Sequence, residues 1–319
     1  MIGIDEIEAA AGRVADQVVR TPVVESPGLS GLLGVAVTAK LELLQRTGSF
    51  KARGAVAKLR ALSPDERAAG VVAVSGGNHG IALAVMAGAL DVKATVVMPR
   101  SAPARAVRLA EEAGATVRVA DDMAEAFSLT ERLRDEGSTL VHPFDDEVVI
   151  AGQGTVGLEF ADDAGELTDV LVSIGGGGLI SGVAAALRHL RPGVRVWGVE
   201  TEGAEAMTSA LRAGGPVPVE LSSIVSTLSA PAVSAITHEH VSTLVEGVEV
   251  VSDADAVRGV LELAEHAKVW AEPAAGCLLP AARRVVDWVG PQARLGLVVC
   301  GGNTTPADVQ SWAQRFDLT

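Results

Sequence analysis

Three short segments of this 319-residue chain carry groups that could do chemistry. The first is Gly175-Gly176-Gly177-Gly178-Leu179, set between an apolar run and a helical pattern. Glycines let a backbone come close to an anion and adopt positive φ. The helix that follows offers free N–H groups and the positive end of its dipole. Such a turn suits a phosphate monoester; it would equally serve to pack a helix tightly on a strand. The second segment holds Lys51, one of five lysines, in Thr47-Gly-Ser-Phe50-Lys51-Ala-Arg-Gly54. Thr47 and Ser49 read as helix caps, which puts Lys51 in the first turn. The helix start and burial both favour the neutral amine that a Schiff base requires. A surface lysine with its stem laid over apolar neighbours fits the same letters. The third is Ser75-Gly76-Gly77-Asn78-His79-Gly80, a helix-entry loop whose hydroxyl, amide and N–H groups could hold a carboxylate.

Other chemistry is less well supported. A dinucleotide fingerprint needs a third glycine where Ile180 stands, although Glu200 ends the next strand pattern. No lysine follows the glycines as a triphosphate loop requires. A nicotinamide dehydrogenase is therefore disfavoured. Asp145 and Asp146 read as hinge and capping residues. Cys277 and Cys300 are far apart in sequence and in no metal-ligand spacing, which fits a reducing cytosol.

These segments need elements to hold them. Short β-branched runs at 71–74, 94–98, 116–119, 170–174, 194–199 and 295–299 alternate with helical patterns at 80–89, 104–113 and 180–190. The alternation predicts parallel sheets covered by helices, an α/β fold. Several runs are apolar without alternation, as strands buried on both faces are. The stretch 214–231 has no period and reads as an irregular wall. The net charge of −14 disfavours nucleic acid and anionic lipid as partners. With no Tyr and five Phe there is no aromatic stripe for stacking bases. The N-terminus lacks the basic start and apolar run of a signal peptide, so a cytoplasmic location is expected.

Thr47–Ala55 resembles the cofactor-lysine motif of the fold-type II pyridoxal-phosphate enzymes, which include serine and threonine dehydratases and serine racemase. The likeness continues in order through Ser75–Gly80, His142-Pro-Phe-Asp-Asp146, Ile150-Ala-Gly-Gln-Gly-Thr155, Gly175–Leu179, Gly198-Val-Glu200, Glu272-Pro-Ala-Ala275 and Cys300-Gly-Gly-Asn303. It covers residues 21 to 303. The resemblance implies a tryptophan-synthase-β-like fold, with a large cofactor domain of residues 1–65 and 144–319 and a small substrate domain of 66–143. It implies pyridoxal 5′-phosphate on Lys51, which also serves as base, with Phe50, Asn78, Gly175, Gly176, Gly177, Gly178, Leu179, Glu272 and Cys300 about the cofactor. Ser75, Gly76, Asn78 and His79 would face the substrate, a small amino acid; a homodimer is expected.

The implied reaction is α,β-elimination of water from L-threonine, L-serine or a related β-hydroxy amino acid. The products would be a 2-oxo acid and ammonia. A same-fold lyase acting on 3-hydroxyaspartate or a phenylserine-like substrate, a β-replacement enzyme and a non-catalytic cofactor-binding protein are the alternatives. Cys300 takes the place of the pyridine-nitrogen partner, and a thiol carries no fixed charge. Gly76 stands where serine racemases carry their second base, so racemisation is not expected. Glu200 matches one ligand of the divalent-cation site found in some members, but Ala206 replaces the aspartate, so no metal is expected. No regulatory domain follows the Cys300 loop, so feedback through one is not expected.

Overall fold

The computed structural model describes residues 1–318. Ten strands form two sheets: β1 (Val23–Glu25), β2 (Ala36–Lys40), β3 (Val71–Val74), β4 (Ala94–Pro99), β5 (Thr116–Ala120), β6 (Thr139–Leu140), β7 (Asp169–Ser173), β8 (Arg195–Thr201), β9 (Gly247–Val251) and β10 (Arg294–Val298). The six-stranded sheet has the order β1-β2-β10-β7-β8-β9, and the four-stranded sheet β5-β4-β3-β6. Every pairing is parallel except β1 with β2. The fold is thus α/β and parallel-rich. Helices connect the strands because parallel neighbours need crossovers. β7 is buried at all five positions, which explains its unbroken apolar reading.

Helices Lys51–Ala61, Glu147–Asp163 and Gly178–Leu190 pack at backbone contact. A Cβ on Gly182 would lie 2.5 Å from the Gly154 nitrogen, and one on Gly152 would lie 2.8 Å from the Arg53 carbonyl oxygen. No side chain fits at either crossing, which gives the Ala-Gly-Gln-Gly-Thr run a packing cause. Asp146 caps Glu147–Asp163 by accepting from Val148 N at 2.9 Å and Val149 N at 3.1 Å.

A buried ion cluster fixes the first of these helices. The Arg53 guanidinium reaches Glu42 at 2.7 and 2.8 Å and Glu159 at 2.7 Å. Lys40 pairs with Glu159 from the end of β2. Arg53, Lys40 and Glu42 are fully buried. The charges persist there because each has partners of opposite sign and hydrogen bonds besides.

Candidate active site

The motif residues converge beyond the carboxyl ends of β2, β3, β7 and β10, where open parallel sheets place their ligand sites. Lys51 opens helix Lys51–Ala61. The expected capping does not occur: the N-cap position is Phe50, without a side-chain bond, and the Ser49 hydroxyl is buried and unpartnered. Instead an antiparallel bridge between Ser49 and Gly301, and a bond from Phe50 N to the Cys300 carbonyl at 3.1 Å, set the loop. Tertiary contact replaces the local cap.

The Lys51 Nζ lies 3.1 Å from the Pro143 carbonyl and 5.1 Å from the centre of the Phe50 ring. Burial lowers its pKa to about 8, against the opposing pull of Cys300 and Glu272. A large share of the amine is therefore neutral near pH 8. Burial holds the Cys300 thiol protonated, well above its ordinary range. Burial also raises the Glu272 carboxyl to about 7. Its Oε1 accepts from Asn78 Nδ2 at 2.7 Å, while its Oε2 is buried without a partner.

The glycine turn leads into helix Gly178–Leu190. Gly177 holds φ at +92°, and no side chain caps the first turn, so its N–H groups stay available to an anion. A Cβ on Gly176 would fall 2.0 Å from the Phe144 ring. Leu179 packs in the core behind the turn. The close approach of backbone that a phosphate needs and the tight packing of a turn are both present here.

The Ser75–Gly80 loop enters helix Asn78–Ala89. Gly76, Gly77 and Asn78 line a cleft with Glu272, Asn303 and Thr304. Ser75 turns its hydroxyl to the Gly77 N–H at 3.2 Å. His79 points elsewhere: its Nε2 sits 2.8 Å from the Val141 carbonyl, and burial drops its pKa to about 3. Its ring packs as a buried strut against that carbonyl. Glu200 is spent as a helix cap, accepting from Met207 N at 2.7 Å and Thr208 N at 2.9 Å. The irregular stretch 214–231 contributes Ile224, Val225, Ser226 and Thr227 to the cleft.

Asn303 is the residue that reading the sequence did not single out. Its Nδ2 donates to the Asn78 Oδ1 and the Thr47 carbonyl, both at 2.8 Å. Its place within the Cys300-Gly-Gly-Asn303 run was the available signal.

These groups fit pyridoxal 5′-phosphate. An amine drawn towards neutrality feels both an uncharged thiol and a carboxyl with an orphaned oxygen, and a glycine-lined helix start offers free N–H groups to an anion.

Comparison with known proteins agrees. The chain is 38% identical over 306 residues to an L-threonine ammonia-lyase of Thermotoga maritima, covering 95% of this chain and 76% of that protein. It is 39% identical over 323 residues to a phenylserine dehydratase of Ralstonia pickettii, covering 99% and 97%. The structure of maize serine racemase superposes with a TM-score of 0.91 at 32% identity, covering 99% and 98%. Residues 14–301 match the family model described as pyridoxal-phosphate dependent enzyme, and this chain belongs to that family.

Proposed function

We propose that this enzyme removes water from a β-hydroxy amino acid such as L-threonine or L-serine, yielding a 2-oxo acid and ammonia. The observation that carries the reading is Lys51, a partly buried amine with its pKa near 8 beside Cys300 and Glu272. When bound, pyridoxal 5′-phosphate supplies an electron-withdrawing group that stabilises negative charge at the substrate Cα. Lys51 would join that cofactor and, once released, take the proton from the Cα. The N–H groups of Gly175–Gly178 and the helix start would hold the phosphate. Phe50 and Glu272 would flank the ring, and Cys300 would face its nitrogen as a neutral thiol. A neutral partner leaves the ring a weaker electron sink, which favours prompt loss of the β-hydroxyl. Gly76, Gly77 and Asn78 would receive the substrate carboxylate, with Ser75 shaping the loop. Gly76 offers no group for a second base, which supports elimination over racemisation.

A bulkier substrate, phenylserine-like, is the second reading. Ile81, Ala106, Val225 and Trp312 give the cleft an apolar wall. The phenylserine dehydratase also matches end to end, whereas the threonine ammonia-lyase extends well beyond the match. We further propose that residues 66–143 form a small domain closing on the remainder, and that the enzyme is a cytoplasmic homodimer. No helix among the described residues is long and apolar enough to cross a membrane. A panel of L-threonine, L-serine, phenylserine and 3-hydroxyaspartate, read by 2-oxo acid and ammonia release, tests the reaction. Release from at least one, abolished by Lys51→Ala, is expected; release from none would remove the dehydratase claim.

A further inference from the structure

Asn78 sits in a hydrogen-bond chain anchored at one end by a group that can only accept. At one end is the Thr47 backbone carbonyl, which accepts from Asn303 Nδ2 at 2.8 Å. At the other is the Glu272 carboxyl, whose Oε1 accepts from Asn78 Nδ2 at 2.7 Å. Between them Asn303 Nδ2 donates to Asn78 Oδ1 at 2.8 Å. A backbone carbonyl has no proton to give, so the Asn303 amide must turn its nitrogen towards Thr47 and Asn78. The Asn78 oxygen is then the acceptor, and its nitrogen faces Glu272. One of the two Asn78 amide protons is used there, and the other is left over.

The chain is also fixed by space. A Cβ on Gly48 would lie 2.5 Å from Asn303 Oδ1, and one on Gly301 would lie 2.6 Å from Glu272 Oε1. Gly48 has φ +71°, a conformation that glycine adopts freely. Glycine at these two positions leaves the Asn303 and Glu272 side chains room to lie against the backbone. Asn78 and Glu272 are buried and both line the cleft.

We propose that Asn303 and Glu272 are positioning residues that lock Asn78 with an N–H, and not its oxygen, presented to the cleft. The inference rests on the reading that this cleft takes pyridoxal phosphate and deepens it: Asn78 would serve an anionic oxygen of the cofactor or substrate as a donor. A freely flipping amide would present its oxygen part of the time and repel that anion.

Asn303→Asp and Asn303→Ala separate polarity from packing. Aspartate keeps the shape of asparagine but turns acceptors towards the Thr47 carbonyl and the Asn78 oxygen. Alanine removes the group. The full chain is measured after removal of cofactor, by melting temperature, and then in titration with pyridoxal phosphate, by absorbance. We expect Asn303→Asp to melt below Asn303→Ala. We also expect it to bind cofactor at least about tenfold more weakly than the parent, with a changed ratio of long- to short-wavelength bands. An Asn303→Asp chain that melts and binds as the parent does, with alanine the damaged variant, would assign Asn303 to packing and overturn the proposal. The melting comparison needs no cofactor. It therefore still decides on the chain if the parent itself binds none, an outcome that would sink the functional reading separately.

Discussion

Lys51 shows how position sets reactivity. Of the five lysines, this one stands beside Cys300 and Glu272, and burial brings its pKa to about 8. The sign follows from burial disfavouring the charged form, so the amine loses its proton at a lower pH than an exposed lysine does. In the cofactor-free chain, an amine-acylating reagent should label Lys51 ahead of exposed Lys93 and Lys268, with a pH midpoint near 8. Peptide mapping across pH 6–10 reads this, and a midpoint equal to that of the exposed lysines would refute it. Lys51, Asn78, the glycines and Cys300 were legible in the sequence because each sits in a dense run of small or polar residues. The role of His79 was not. A histidine in a glycine-rich loop reads equally as a substrate contact or as an ordinary loop residue, and only the position of the Val141 carbonyl reveals where its ring packs. Asn303 was equally silent, since its partners lie 225 and 256 residues away in sequence.

At the scale of elements, glycine spacing records where backbones touch. Gly76 is such a place, since a Cβ there would come within 2.8 Å of the Ala102 Cβ and 3.4 Å of Pro99. Gly76→Ser therefore cannot simply restore a second base. It should cost about 1–3 kcal/mol through overpacking. Gly76→Ser with Ala102→Gly should recover most of that loss, and only the pair should show racemisation of serine. Urea denaturation and chiral chromatography check both parts; a single variant of parental stability would contradict the contact. The apolar runs forecast β3, β4, β5, β7, β8 and β10 with small shifts at their ends. They did not forecast β1, β2, β6 or β9. β6 has two residues and β1 three, too few for a period to register. β2 ends in Lys40, a charge held inside by Glu159, a partner 119 residues away, and by the Thr21 carbonyl.

The whole molecule places one charged cluster beneath its reactive lysine. Arg53 follows Lys51 by two residues and ties that helix to Glu42 and Glu159. Arg53→Met would leave Glu42 without its cation in the interior and Glu159 with Lys40 alone, at a cost of roughly 3–5 kcal/mol. Without Arg53 to hold it down, the Glu159 carboxyl would rise, because burial favours its neutral form. Protonation relieves that buried charge at low pH and ceases to do so as pH rises, so the deficit should be smaller at pH 5 than at pH 8. Urea midpoints at both values test this, and a deficit independent of pH would show that packing alone matters. The same helix opens on Lys51, so the ion cluster and the buried amine form one unit.

The central claim is covalent attachment of pyridoxal phosphate at Lys51. Borohydride reduction of the purified, reconstituted enzyme, followed by digestion and mass spectrometry, reads it directly. A reduced phosphopyridoxyl group is expected on the peptide carrying Lys51 and on no other. Label on Lys40, Lys58, Lys93 or Lys268 instead, or no label after reconstitution, would contradict it.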